Sequence, residues 1–197
     1  MDFLNSIILL TNFIIVPGIT YGSQLALGAI GVTLIYGVLR FANFAYGDLM
    51  AFGTMVVILM TWYLQSKGIS FGLLPTALLA LPIGILLTIA VSLFFDKTVF
   101  EYYRNKKSNP VTFIVVSLGI MFVLNAVVRI IIGPNDINFM DGHKFIMKAR
   151  EFKQLTGLNE GLAIKSTQVI TLVTTIITCS ILSVSYTHLT LPTIYSV

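Results

Sequence analysis

The feature that most constrains this chain is its long stretches without any charged residue. Five such stretches occur, at residues 3–39, 49–66, 68–95, 108–128 and 166–197. A membrane helix needs about 20 mostly apolar residues to cross roughly 30 Å of hydrocarbon. Charged residues make up only 10% of the chain, a fraction that excludes an ordinary soluble domain, a coiled coil and a disordered chain. We therefore predict an all-α, polytopic integral membrane bundle.

The first charge-free stretch is too long for a single span, because its 37 residues would form a helix of about 56 Å. Pro17 and Gly18 provide a natural break. The sequence therefore predicts a short segment at residues 3–16, followed by a full span at 19–39. Further spans are predicted at 47–64, 73–95, 111–132 and 166–184. The total is five to six transmembrane segments, since the position of the short segment stays open.

The orientation follows from the basic residues in the loops. The predicted loop 96–109 contains Lys97, Arg104, Lys106 and Lys107, and cytoplasmic loops carry an excess of such residues. We therefore place this loop in the cytoplasm and residues 135–165 on the opposite side of a cell (inner or plasma) membrane. The formal net charge of +4 is thereby assigned to loops beside the lipid bilayer, and no nucleic-acid partner is expected.

Residues 22–48 combine a row of small residues with a polar interruption. The small residues predict a helix-packing face, because they let helix backbones approach closely in lipid. Downstream, Asp48 precedes a long apolar stretch and is predicted to cap the N-terminus of a new helix. The sequence therefore predicts a discontinuous helix near residues 40–48. The predicted packing residues are Gly22, Ala26, Gly28, Ala29 and Gly31.

Four residues of this interruption are candidates for the substrate path: Asn43, Tyr46, Gly47 and Asp48. A carboxylate inside the membrane is costly and is usually functional, and a broken helix presents backbone dipoles to a substrate. Asp48 could also be a simple helix cap, and Asn43 could make a helix-end or interhelical hydrogen bond.

A second polar pair lies in the predicted span 111–132. Arg129 follows Asn125 by four residues, so both share a helix face. Because Arg129 is close to Gly133, we expect its side chain to reach the membrane interface.

The stretch around residues 22–48 resembles the inner-membrane permease of branched-chain amino acid ABC transporters, and the resemblance extends over roughly residues 10–184. The chain has Tyr46 where that family usually has His, and Tyr does not titrate near neutral pH. No proton-linked role is therefore expected at this position. The residues that match the family pattern are Gly22, Ser23, Ala26, Leu27, Gly31, Thr33, Leu34, Ile35, Tyr36, Gly37, Asn43, Phe44, Ala45, Gly47 and Asp48.

The resemblance implies a permease subunit of an ABC importer that forms part of the translocation pathway for branched-chain amino acids. It implies a second permease subunit, cytoplasmic ATPase subunits and an extracytoplasmic substrate-binding protein as partners. ATP would be bound by the partner subunits, so no cofactor is expected in this chain. A permease for urea or short amides, and a secondary transporter or channel, stay open as alternatives.

Catalytic patterns are missing from the sequence. It has no glycine-rich phosphate loop, one cysteine (Cys179) and two isolated histidines (His143 and His188). We therefore expect neither an enzyme nor a metal site.

The C-terminal residues do not follow the family pattern. We expect a permease domain at residues 1–184 that continues in the family beyond this chain. Residues 185–197 resemble translated sequencing-adapter sequence and are predicted to be a disordered, non-family tail in which Pro192 interrupts a helix. A chain truncated in this way is expected to be inactive in transport.

Overall fold

A computed structural model of the protein describes residues 2–69, 74–135, 139, 141, 145–157 and 160–194. The chain is helical over most of these residues, and two short strands form an antiparallel pair. The helices are α1 (Asp2–Leu10), α2 (Val16–Leu39), α3 (Ala45–Ser66), α4 (Ala77–Phe95), α5 (Glu101–Asn105), α6 (Pro110–Ile132), α7 (Ala149–Thr156) and α8 (Ser166–Ile194), and the strands are β1 (Phe145–Met147) and β2 (Ile164–Lys165).

Five helical segments of the described chain are long and apolar enough to cross a membrane. This confirms the predicted all-α, multi-pass fold. The segments are Phe3–Gly37, Ala45–Ser66, Ala77–Asn105, Pro110–Ile132 and Ser166–Val184.

The predicted division of the first charge-free stretch at Pro17 and Gly18 is wrong. Helix α1 continues into α2 through a π-helical turn at Thr11–Ile15, in which the Val16 N–H donates to the Thr11 carbonyl. Proline lacks an N–H and its ring crowds the preceding turn. A widened π turn is one way for a helix to accommodate such a site without ending.

The loop predicted at residues 96–109 is also shorter than expected. Helix α4 continues through a second π-helical turn, Asp96–Phe100, into α5, which ends at Asn105. Arg104 donates two hydrogen bonds to the Asp96 carboxylate, at 2.9 and 2.8 Å. This ion pair bridges the π turn, so charged residues at this place continue a helix that apolar residues began.

The chain divides into two compact units. One contains residues 31–142 and the other contains residues 1–30 with 143–197. In the unit of residues 31–142, α3 packs against α4 and α6. Its buried core consists of Phe41, Ala45, Phe100, Ile120 and Leu124.

Asp141, in the segment after α6, holds the start of α4 and the end of α3. Asp141 accepts a hydrogen bond from the Ala77 N–H at 2.7 Å and one from Gln65 Nε2 at 2.8 Å. It thereby satisfies a free N–H at the start of α4, where the helix has no side-chain cap from its own N-cap residue, Thr76.

The unit formed by residues 1–30 and 143–197 contains the antiparallel pair β1–β2. Asn12 holds the segment before β2, since its Nδ2 donates to the Gly161 carbonyl at 2.6 Å and its Oδ1 accepts the Ala163 N–H at 3.0 Å. Helix α8 runs to Ile194, so the chain is helical in residues 185–194, where we expected an irregular tail. That these residues lie outside the family stays a prediction.

Candidate functional site

The candidate site is built around the break between α2 and α3. Helix α2 ends at Leu39, and Arg40 adopts a left-handed backbone conformation with φ of 56°. Helix α3 begins at Ala45. Asn43 Oδ1 accepts the Ala45 N–H at 3.1 Å, and the Phe44 N–H donates to Ser117 Oγ at 3.2 Å. The predicted discontinuity is therefore present, and side chains satisfy two backbone donors at it.

The bond to Ser117 shows how deep α3 begins. Ser117 lies seven residues after Pro110, the first residue of α6. At 1.5 Å per residue, α3 therefore starts beside a point about 10 Å along α6. The N-terminus of α3 therefore places its polar backbone groups beside α6 about two turns after the first residue of that helix, not at its end.

Asp48 does not cap α3, so that prediction is wrong. The N-cap residue of α3 is Phe44, so Asp48 lies inside the first turn of the helix and not at the cap position. Instead, the Asp48 side chain turns toward α6 and accepts a hydrogen bond from Asn125 Nδ2 at 3.0 Å. Asn125 Oδ1 in turn accepts the Nε–H of Arg129 at 2.8 Å. We call these three residues the polar line.

The polar line lies in the wall of a cavity of about 300 Å³ between α3 and α6. Asp48 is half-buried, whereas Asn125 and Arg129 are exposed. The cavity extends to Trp62 in α3 and to the end of α6. The Nε bond of Arg129 to Asn125 ties it to the group that holds Asp48. That the Arg129 side chain reaches the membrane interface stays a prediction.

This arrangement separates a carboxylate from a guanidinium by one neutral amide. Each of these two hydrogen bonds uses only part of its charged group, since a carboxylate has two oxygens and a guanidinium has five N–H donors. Both charges therefore keep hydrogen-bonding capacity for a ligand in the cavity. Apolar neighbours in the same wall, Ile58, Val128 and Ile132, offer surface for a hydrocarbon side chain.

The other candidate path residues lie elsewhere around the break. Asn43 lines a second cavity, discussed below. The Tyr46 hydroxyl lies against Gly31, where a side-chain carbon would collide with it and would come within 2.8 Å of Tyr46 Cζ. Gly47 is exposed, and an added methyl group there would meet no described atom within 4 Å. The structure thus brings Asp48, and not the whole quartet, to the polar line.

The predicted packing face of α2 is uneven. Gly31 contacts Tyr46, as described above. A methyl group added at Gly22 or Gly28 would meet no described atom within 4 Å outside its own helix backbone, and Ala26 and Ala29 are exposed. A packing role for these four residues stays a prediction.

A close contact between α3 and α4 was not predicted from the sequence. A side-chain carbon at Gly84 would collide with Val57 and lie 3.3 Å from the Gly53 carbonyl oxygen, and one at Gly53 would lie 2.6 Å from Thr88 Oγ1. Gly53 and Gly84 are isolated glycines in apolar helices, a signal that could have suggested close approach.

Within the part of the chain that the structure describes, no group of three or more His, Cys, Asp or Glu side chains is placed to hold a metal ion. The polar line has a single carboxylate. Its groups are suited to hydrogen bonding and charge pairing.

Transporters commonly build their binding sites on discontinuous helices. Comparison with known proteins shows the family of this chain. The family described as "Branched-chain amino acid transport system / permease component" matches residues 14–187. The chain belongs to this family. The match includes the break, the polar line and most of α8, so it covers both compact units.

Curated relatives carry the same description. The chain is 30% identical over 121 residues to the high-affinity branched-chain amino acid transport system permease protein LivH of Escherichia coli (strain K12). The LivH protein of Salmonella typhimurium gives the same identity over the same length. In both cases the match covers 61% of this chain and 38% of the relative, so the chain matches well under half of their length. No solved structure gives a significant match.

Proposed function

We propose that this chain is a membrane-embedded permease subunit of an ABC importer for branched-chain amino acids. In this proposal it lies in the inner or plasma membrane and forms the translocation path with a second permease subunit. Cytoplasmic ATPase subunits bind the ATP, and an extracytoplasmic binding protein delivers the substrate. The family membership and the names of the curated relatives support this assignment.

The observation that carries a path role for this region is the polar line in the cavity wall. Membrane-embedded charged side chains are costly and almost always face a bundle interior or a water-filled space. Asp48 and Arg129 are joined through Asn125, and they face the cavity instead of the packed core. We propose that this wall belongs to the substrate path and that Asn43, Tyr46 and Gly47 shape the break beside it.

The chemistry of the polar line suits a zwitterion. A free α-amino acid carries an ammonium and a carboxylate on one carbon, so it can meet Asp48 and Arg129 at the same time. Ile58, Val128 and Ile132 would then contact its branched hydrocarbon side chain. Urea has neither charge and would gain only neutral hydrogen bonds, which are weaker than charge-assisted ones.

A direct binding experiment uses Trp62, because it lines this cavity and is the only tryptophan of the chain. Leucine added to the purified protein should change the Trp62 fluorescence in a saturable way. Two leucine analogues test the zwitterion: 4-methylpentanoate, which lacks the ammonium group, and 3-methylbutylamine, which lacks the carboxylate. Both should bind at least about tenfold more weakly than leucine, as expected for losing one charge-assisted contact. Equal responses to leucine and urea would contradict zwitterion recognition and favour the amide alternative.

The transport experiment compares Asp48→Asn with Glu101→Gln in a chain whose residues from 185 onward are replaced by the continuing sequence of a family member, assembled with its partners, because the chain as given is expected to be inactive. ATP-dependent leucine uptake should fall about tenfold or more in Asp48→Asn, because a charged partner contributes roughly 1.5–3 kcal/mol. The amount of protein in the membrane should stay unchanged. Glu101 lies in α5 and does not line the Asp48 cavity, so its neutral variant should transport normally.

Two outcomes would contradict this proposal. If Asp48→Asn accumulates poorly while its remaining copies transport at the normal rate, Asp48 has only a structural role. If uptake persists after ATP depletion but collapses with the ion gradient, the protein is a secondary transporter.

The proposed orientation has its own test. In a Cys179→Ser background, single cysteines at Lys106 and at Lys153 in α7 should react with a membrane-impermeant thiol reagent from opposite sides, with position 106 on the cytoplasmic side. The reason is the basic residues that follow α4. Reaction of both cysteines from one side would require a different number of spans.

A further inference from the structure

A second cavity, of about 540 Å³, lies in the same unit and shares no lining residue with the Asp48 cavity. It is enclosed by the end of α2, the start of α3, the region from α4 to α5 and the start of α6. The proposed transport path does not use it. We call it the boundary cavity, because it lies where several spans end or begin.

The inner wall of the boundary cavity is apolar and aromatic. Phe41 and Phe113 stack with ring centroids 5.2 Å apart, and Phe100 lies 5.9 Å from Phe41 and 6.5 Å from Phe113. Leu39 and Leu93 extend this surface, and Leu93 is 63% exposed. A hydrocarbon chain could therefore lie along the wall and continue onto the outer surface of α4.

The polar residues of the boundary cavity include two arginines with different partners. Arg104 is neutralised by its bidentate ion pair with Asp96, at 2.8 Å. For Arg40, the described residues contain no ion-pair partner. Its left-handed backbone, at φ of 56°, favours glycine over a long side chain. Arg40, which has no ion-pair partner among the described residues, thus lines the cavity at a position whose backbone conformation disfavours a long side chain.

The neighbouring polar groups favour an anion as the partner of Arg40. Ser108 and Asn43 line the same cavity. The Asn43 oxygen already accepts the Ala45 N–H, which leaves its amide N–H groups as donors. Together with Arg40, these groups offer donors and positive charge to a phosphate.

We propose that the boundary cavity binds one anionic phospholipid, with its phosphate on Arg40 and an acyl chain along Phe41, Phe113 and Leu93. A basic pocket between transmembrane helices at the membrane boundary is a typical site for such headgroups. The apolar wall selects a lipid over a soluble anion. The charge of Arg40 selects an anionic lipid over a zwitterionic one.

The experiment is native mass spectrometry of the purified chain, titrated with phosphatidylglycerol or with phosphatidylcholine of the same acyl chains. Wild-type protein should retain one phosphatidylglycerol, with about fivefold higher affinity than phosphatidylcholine, as expected for one arginine near the membrane surface. Arg40→Gln should abolish this preference, and Arg40→Lys should keep most of it. Ser92→Trp, which fills the cavity without changing charge, should lower the affinity for both lipids.

Lys97→Gln is the matched control, since Lys97 follows the cavity residue Asp96 in the chain but does not itself line the cavity. It should bind phosphatidylglycerol as wild type does. An equal loss in Lys97→Gln and Arg40→Gln would overturn the site in favour of diffuse charge attraction. Displacement of the lipid by equimolar inorganic phosphate would overturn the lipid as ligand. An unchanged affinity in Ser92→Trp would overturn the location. Because leucine uptake enters none of these readouts, failure here leaves the proposed transport function intact.

Discussion

Two glycine-containing helix faces of this protein behave differently. In α3 and α4, Gly53 and Gly84 lie at a contact so close that a side-chain carbon at either position would meet the other helix, Thr88 in one case and Val57 in the other. In α2, Gly22 shares helical spacing with Ala26 and Ala29, and Gly28 belongs to a second strip with Gly31, yet an added methyl group at Gly22 or Gly28 would touch no described atom outside the helix backbone. The small-residue pattern predicted packing on α2 and not the contact between α3 and α4.

The difference shows what a small-residue pattern means in a membrane. Small residues permit two helices to approach closely, but they do not select the partner. Lipid offers no hydrophobic drive that would distinguish one apolar face from another. Whether an approach occurs depends on the surface that the partner helix presents. The α3–α4 face has found its partner within the chain.

The largest expected effect is at the α3–α4 contact. Gly84→Leu should lower the free energy of unfolding by about 3 kcal/mol, because the side chain must displace Val57 and the backbone of Gly53. Unfolding of the purified protein in detergent measures this. Gly28→Leu is the control and should unfold as wild type does. Equal destabilisation of the two variants would erase the contrast between the faces.

A smaller effect is expected at Gly31, the member of the α2 row that contacts the break. Gly31→Ala should cost about 1 kcal/mol, since the nearest atom is the mobile end of Tyr46 and can shift. Tyr46→Ser removes the ring, so the cost of Gly31→Ala should vanish in that background. A double-mutant cycle measures the coupling. Additive effects would mean that Tyr46 does not pack on Gly31.

The smallest effect on the free energy of unfolding is expected at Gly28. Gly28→Leu should change the free energy of unfolding by less than about 0.5 kcal/mol. Unfolding of the purified protein in detergent measures this. A loss of about 1 kcal/mol or more would mean that Gly28 packs against another part of the chain.

The sequence predicted the class of the fold because the responsible physics is local. Charge-free stretches of the length set by the bilayer identify spans, and three of the five spans, Ala45–Ser66, Pro110–Ile132 and Ser166–Val184, lie within a few residues of their predicted bounds. Predictions from local sequence failed where the helix continued through residues that usually end it. Pro17 is accommodated by a π turn instead of a break, and Asp96–Asn105 stays helical because Arg104 and Asp96 pair across the turn.

The candidate site was predicted in part. The break at residues 40–44 and the shared face of Asn125 and Arg129 follow from composition and from helical period. The pairing of Asp48 with Asn125 joins residues 77 positions apart. No local pattern could have distinguished this bond from the cap that we expected, because both satisfy the same carboxylate.

By itself, then, the sequence determined that the chain crosses a membrane several times, where one helix is interrupted, and which family the interruption resembles. Tertiary structure alone decided which partners meet: Asp48 with Asn125, Asp141 with the free N–H of Ala77, and Gly84 with Val57. The reason is physical. Hydrophobic length and helical period act along a single helix, whereas the choice of a lateral partner depends on the shape and polarity of two surfaces at once.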